Sequence, residues 1–171
     1  DGASHSASAT APAGASVVWY TASTGGSVTT APTATAVGTY SAWAESVGDA
    51  TGCVSLTRTQ VFLTINALPA APTGSDVVVC YDGASHSASA TAPAGASVVW
   101  YDASTGGNVI IVPTGTAVGT YTGWAESVNS TTGCVSSTRT QVTLTINTLP
   151  AAPTGTDVEV CYDGASHSAS A

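Results

Sequence analysis

The chain has 171 residues, only 7% of them charged, and its two Lys+Arg face ten Asp+Glu for a net charge of −8. That balance excludes a nucleic-acid binder and a ligand of anionic membrane surfaces, both of which need clusters of Lys and Arg. Hydrophobic residues make up 43%, largely Ala and Val, which excludes disorder by composition. No apolar run approaches the ~20 residues that cross a bilayer, so membrane insertion is not expected.

Asp1, Asp82 and Asp163 open the same stretch, D-G-A-S-H-S-A-S, so the chain repeats with a period of 81. Laid over each other, residues 1–81 and 82–162 differ at 16 positions. Residues 1–66 read as a module without its first strand. Residues 67–147 read as a complete module, and 148–171 as the first strands of a third. The sequence starts and stops inside the repeat, which points to a window from a longer array. The alternative is that the incomplete ends of different copies complete each other by strand exchange.

The elements are read in the complete copy. Residues 68–74, L-P-A-A-P-T-G, are a linker, because two prolines and a glycine break a regular ladder. A Val-rich strand is predicted at 76–81. Residues 85–91 alternate small and polar side chains, as a half-buried strand does. Strands follow at 97–101, with Val98, Val99 and Trp100, and at 108–112. A further strand at 120–128 carries Tyr121 and Trp124. The last, 139–146, puts Val142, Leu144 and Ile146 on one face and Gln141, Thr143 and Thr145 on the other. Turn signals separate the runs, Pro113-Thr114-Gly115 among them. No segment holds a 3.6-residue period. Six or seven short strands in about 80 residues predict an all-β chain of Ig-like β-sandwich modules.

The differences between copies bear on the core. Phe62 becomes Thr143 on the face assigned to solvent, while Val61, Leu63 and Ile65 are unchanged. The core is therefore expected at Trp19 and Trp100, Tyr40 and Tyr121, Val142, Leu144 and Ile146. The drift is expected at the surface.

Four cysteines, Cys53, Cys80, Cys134 and Cys161, allow three pairings. The module frame favours Cys80 with Cys134, leaving Cys53 and Cys161 to partners outside the fragment. The competing scheme staples neighbouring modules, Cys53 with Cys80 and Cys134 with Cys161. Either implies an oxidising, extracytoplasmic compartment. A zinc site is not expected, since there is no C-x-x-C and each module has one His.

Asp82, Ser85 and His86 invite a catalytic reading, but neighbours on a strand point to opposite faces. No enzyme, cofactor or metal is expected. Asp76, Asp82, Asp102 and Glu126 are candidate calcium ligands, but they lack the alternating acidic spacing of a calcium loop. Asn129-Ser130-Thr131 is a glycosylation sequon absent from the other copy. Arg58 and Arg139 are each the sole base of their module and are candidates to pair with Glu45 and Glu126. Trp100, Tyr101 and Trp124 are candidates for a sugar-stacking platform as well as for the core. Their placement separates a spacer from a binding module.

The run T-A-P-A-G-A-S-V-V-W-Y-D-A-S-T-G-G, then G-T-Y, then T-G-C-V-S-S-T-R-T-Q-V-T-L-T-I-N and the P-A-A-P linker resemble the Ig-like repeats of giant Bacteroidota cell-surface adhesins. Those proteins are exported by the type 9 secretion system, and some serve gliding motility. The resemblance covers residues 68–147 and recurs in the partial copies. It implies an Ig-like sandwich, an extracellular location and a spacer or adhesive role. It also implies partners among neighbouring modules, surface glycans or the secretion and motility machinery. It supplies no catalytic residue.

Overall fold

The computed structural model describes residues 2–168. Every regular element among them is a strand, and no helix is long and apolar enough to cross a membrane. The chain divides into two compact units, Asp1–Pro69 with Asn129–Cys134 and Ala70–Val128 with Val135–Ala171, the first boundary falling inside the predicted linker.

The first unit contains β1 (His5–Ser6), β2 (Ala15–Tyr20), β3 (Val28–Thr29), β4 (Thr33–Ala34), β5 (Gly38–Gly48) and β6 (Thr59–Ile65). Four of these form an antiparallel sheet in the order β3-β2-β5-β6, and β1 pairs with β4. The β-branched and aromatic run A-S-V-V-W-Y suits a pleated, half-buried surface, and the long β5 spans the sheet.

The second unit contains β7 (Thr73–Gly74), β8 (Val77–Cys80), β9 (His86–Ser87), β10 (Ala90–Thr91), β11 (Ala96–Tyr101), β12 (Val109–Ile110), β13 (Thr114–Gly115), β14 (Gly119–Asn129) and β15 (Thr140–Asn147). Its main sheet has the order β12-β11-β14-β15-β8. The first long strand, β8, runs parallel to the last, β15, with Val77 opposite Leu144 and Cys80 opposite Asn147. The other layer is made of short antiparallel pairs, β7 with β10 and β9 with β13.

Between the layers lie Ala88, Trp100, Ala125, Val142, Leu144 and Ile146. Leu144 and Val142 are fully buried, and Trp100 is 9% exposed. The alternation of β15 explains this, because every second residue faces the other layer. Burying a Leu or Val in this way stabilises by about 1.5–3 kcal/mol each. Tyr121 is half-buried, and its hydroxyl donates to the Ala117 carbonyl at 3.1 Å. A Tyr early in the sixth strand, bonded back to its own corner, and a buried Trp on the third are marks of the immunoglobulin sandwich. The first unit repeats the corner, with Tyr40 donating to Ala36 at 3.1 Å, and its Trp19 is half-buried.

Antibody domains tie this core with a disulfide whose second Cys lies two residues beyond the Tyr. Gly123 occupies that place here, facing the buried Ala88 and Trp100 layer. A Cβ on Gly123 would lie 2.5 Å from Pro113 Cγ and 3.0 Å from Trp100 Cε3, so the core closes by contact and has no room for a bridge.

The strand expected at 85–91 is split into β9 and β10, and two strands fall where none was expected. β7 falls in residues assigned to the linker, and β13 in residues assigned to a turn. Both are Thr-Gly pairs, with no apolar periodicity to mark them. Both are pressed onto the core where a side chain does not fit. A Cβ on Gly74 would lie 2.5 Å from Val142 Cγ2, and one on Gly115 would strike the Tyr121 ring. The drift between copies also reaches further inward than expected. Gly115 and Gly123 are buried, and their counterparts are Ala34 and Ala42, the latter 4% exposed. Each module therefore packs its aromatic residues in its own way.

Candidate functional site

The outer face of the main sheet holds a cluster of charged, polar and aromatic groups. β11 points Trp100 inward and Tyr101 outward, and β14 points Ala125 inward and Glu126 outward. Arg139, just before β15, reaches across them. Its Nε donates to Glu126 Oε1 at 3.0 Å, and its Nη1 donates to the carbonyls of Ala103 at 2.8 Å and Gly106 at 2.7 Å. Its guanidinium carbon lies 3.3 Å from the centroid of the Tyr101 ring. Both charged side chains are 11% exposed. Burial first, and then the Glu126 carboxylate, push the Tyr101 hydroxyl above its ordinary value, so it stays a neutral donor.

The first unit builds the same cluster. Arg58 Nε donates to Glu45 at 3.1 Å, Nη1 donates to the Ala22 and Gly25 carbonyls, and the guanidinium lies 3.3 Å from the Tyr20 centroid. The candidate pairs Arg58 with Glu45 and Arg139 with Glu126 are therefore both formed. A planar fork satisfies a carboxylate, two carbonyls and an aromatic face at once, which Lys does not do. The bound carbonyls belong to the turn after β2 or β11, so the Arg pins that turn to the sheet. A cleft of about 210 Å³ beside Arg139 is walled by Ser104, Ser136 and Thr138. Arg139 Nε and Nη1, the charged donors nearest it, are already engaged.

The proposed stacking residues separate. Trp100 is in the core, whereas Trp124 is half-buried on the outer face, as is Trp43. In the first unit Trp43 stands opposite Tyr20 on one side and Gln60 on the other. One face of Tyr20 and of Tyr101 is covered by the Arg. Each module thus keeps one partly open outer Trp, flanked by a covered Tyr. The flanking role of Tyr20 and Tyr101 was readable from strand alternation once Trp19 and Trp100 were placed inside.

Asp82 and His86 do meet, Nε2 to Oδ1 at 2.9 Å, and Asp82 also accepts the Ala84 amide at 2.8 Å. These bonds hold the Asp82 carboxyl below its ordinary value, the His86 bond most of all. Ser85 has no hydrogen bond to His86 among the described residues, while Ser87 bonds Thr114 at 3.1 Å. The pair therefore has no nucleophile beside it. The acids weighed as calcium ligands are held apart. Asp76 accepts the Thr143 amide, Asp102 accepts both nitrogens of Asn108, and Glu126 is committed to Arg139. Asn108 is likewise what holds the Asp102 carboxyl below its ordinary value. Asn129 turns its side-chain oxygen back onto the Thr131 and Thr132 amides.

The cysteines correct an expectation. Cys80 ends β8 opposite Asn147, whereas the Cys134 carbonyl accepts the Asn129 amide beyond the far end of β14. About eleven residues of strand separate these levels, on the order of 30 Å. A disulfide needs Cα atoms within about 7 Å. Cys80 and Cys134 are therefore not a pair in this fold, and no disulfide joins two cysteines among the described residues. The reason is the parallel course of β8, which carries its cysteine away from the loop that precedes β15.

Two facing layers of strands, an inner Trp and a Tyr corner define an Ig-like β-sandwich. Residues 69–147 match the family model described as Ig-like domain CHU_C associated. No curated protein matches the chain.

Proposed function

We propose that the chain is a stalk repeat of a long extracellular adhesin filament at a bacterial cell surface, serving surface adhesion or gliding motility. The observation that carries this reading lies within the complete module. The chain enters beside the start of β15, where Thr140 Oγ1 donates to the Pro72 carbonyl, and leaves at its end, at Asn147. Start and finish lie at opposite ends of β15, seven residue steps or about 24 Å apart, within a module whose longest strand, β14, measures about 35 Å. Near-identity of copies suits a spacer, which needs no unique site, and the Pro-rich linkers limit bending. Export by a type 9 secretion system, and kinship with the gliding-motility adhesin SprB, rest on the sequence resemblance. Its partners would be the neighbouring modules, and no catalysis is assigned.

The test is small-angle scattering from chains of two, four and six complete modules. The maximum dimension is expected to grow in equal steps of roughly 25–35 Å per module. A dimension that levels off as modules are added would refute the stalk.

A second reading has one observation in its favour, the half-open outer Trp repeated at Trp43 and Trp124. An array of weak glycan sites would gain by multivalency. Tryptophan fluorescence titrated with surface polysaccharide distinguishes the two. A saturable shift lost in the Trp43→Ala, Trp124→Ala double variant supports binding, and no shift supports the spacer.

A further inference from the structure

Residues 27–32 read S-V-T-T-A-P and residues 108–113 read N-V-I-I-V-P, so the copies differ at four of these six positions. The stretch holds β3 in the first module and β12 in the second, each an edge strand of its main sheet. Ile110 and Val112 turn inward and pack against the core. Val109 and Ile111 turn outward and stand 66% and 83% open to solvent. Core packing accounts for Ile110 and Val112. It does not account for Ile111, which stands where the first module has Thr30.

One side of the β12 backbone is open. The Asp102 amide donates to the Asn108 carbonyl at 3.1 Å, and Ile110 lies opposite Trp100. Residues 108 and 110 therefore turn their backbone polar groups toward β11, and 109 and 111 turn theirs away. Natural proteins blunt such an edge with Lys or other charges. Here no charged residue occurs from 103 to 125, in a chain of net charge −8.

We propose that β12 of a second copy pairs with this edge, antiparallel about a two-fold axis at Ile110, so that two chains associate side by side. The edge is its own complement in that register. Val109 lies opposite Ile111 of the second copy and exchanges both backbone hydrogen bonds with it, and Ile111 does the same with Val109 of the second copy. The outward Val and Ile side chains of both copies then form one apolar cluster beside Tyr101, which lies opposite Val109. Charge selects the occupant. Two chains of net charge −8 repel each other, and an uncharged edge lets them meet without bringing carboxylates together. The Asp102 carboxylates, each tied to its own Asn108, fall at opposite ends of the ladder. A basic partner would instead seek the acidic groups elsewhere on the surface. Pro113 has no amide and ends the ladder. So short a contact gives a weak dimer, with a dissociation constant on the order of 0.1–1 mM.

Sedimentation equilibrium of the intact chain up to about 1 mM tests this, under reducing conditions so that the exposed thiols do not cross-link. The mass is expected to rise from 16.6 kDa toward twice that value and stop there, because a two-fold contact closes on itself. Ile111→Lys is expected to weaken the dimer by about tenfold or more, and Ile111→Thr, the first module's residue, by less. The Ile111 side chain is exposed, so both variants keep the fold, which circular dichroism checks. Hydrogen exchange locates the contact. The Val109 and Ile111 amides are expected to slow with concentration in the wild type and not in Ile111→Lys. A chain that is monomeric at every concentration overturns the proposal. So does a dimer that Ile111→Lys leaves as strong, or one in which those two amides exchange at the monomer's rate. None of these outcomes bears on the stalk reading, which scattering tests by length.

Discussion

Val142, Leu144 and Ile146 are 0%, 0% and 2% exposed in the second module, while Val61, Leu63 and Ile65 are only half-buried in the first. The side chains are the same, on the same strand, in the same register against the preceding one. What differs is β7 and β8, some six residues that cover the edge of β15 and roof the core. A small sandwich therefore does not bury its last strand by closing two layers alone. It needs the first strand to return beside the last. By contrast, the Arg clusters are alike in the two modules to within tenths of an ångström, because they depend only on β2, β5 and the turn before β6, or their counterparts.

The comparison breaks most sharply at the leucines. Leu144→Ala is expected to cost about 2–5 kcal/mol, as for a filled core site, and Leu63→Ala distinctly less. Hydrogen exchange read separately on β15 and β6 checks this, and equal losses of protection would refute the roofing role of β8. Next come the arginines, where no difference between modules is expected. Arg139→Ala and Arg58→Ala each strand a buried carboxylate and two carbonyls, a loss of about 3–5 kcal/mol for a broken buried pair. Thermal unfolding of the two single variants checks this, and unequal shifts would show that the first strand supports the Arg cluster as well.

The smallest effect is acid sensitivity at Asp82. Its folded-state value is depressed below the ordinary 3.8, so its stabilising contribution is fully present above that value and fades as pH falls through the folded value. The side chain is 55% exposed, which makes the contribution small. Melting followed from pH 5 downward should show slightly less acid dependence in Asp82→Asn than in wild type. An identical acid limb in both would remove Asp82 from the account.

Long alternation carried most of the fold into view. The run from Arg139 to Ile146 shows its buried face in the letters alone, and its position in the repeat matches it to 58–65. The Arg–Glu pairs were legible because each module offers one base, and such a charge inside a sandwich must find an acid. Thr73-Gly74 and Thr114-Gly115 were not legible as strands. Their pairing is imposed by tertiary contact, and the glycines that allow it look like turn residues. The cysteines misled for a related reason. Sequence order suggests that the start and end of a module meet, but a parallel first strand sends its end to the far pole.

That parallel pair has a mechanical consequence. In the filament proposed above, tension would enter the complete module near Pro72 and leave at Asn147. It draws β8 and β15 along their lengths in opposite senses. The rungs between them lie across the pull and must give together, whereas an antiparallel hairpin pulled from its open end parts one rung at a time. The short stretch V-V-V-C thus sets the load at which a bead yields. A bead without it would open by peeling from its free edge.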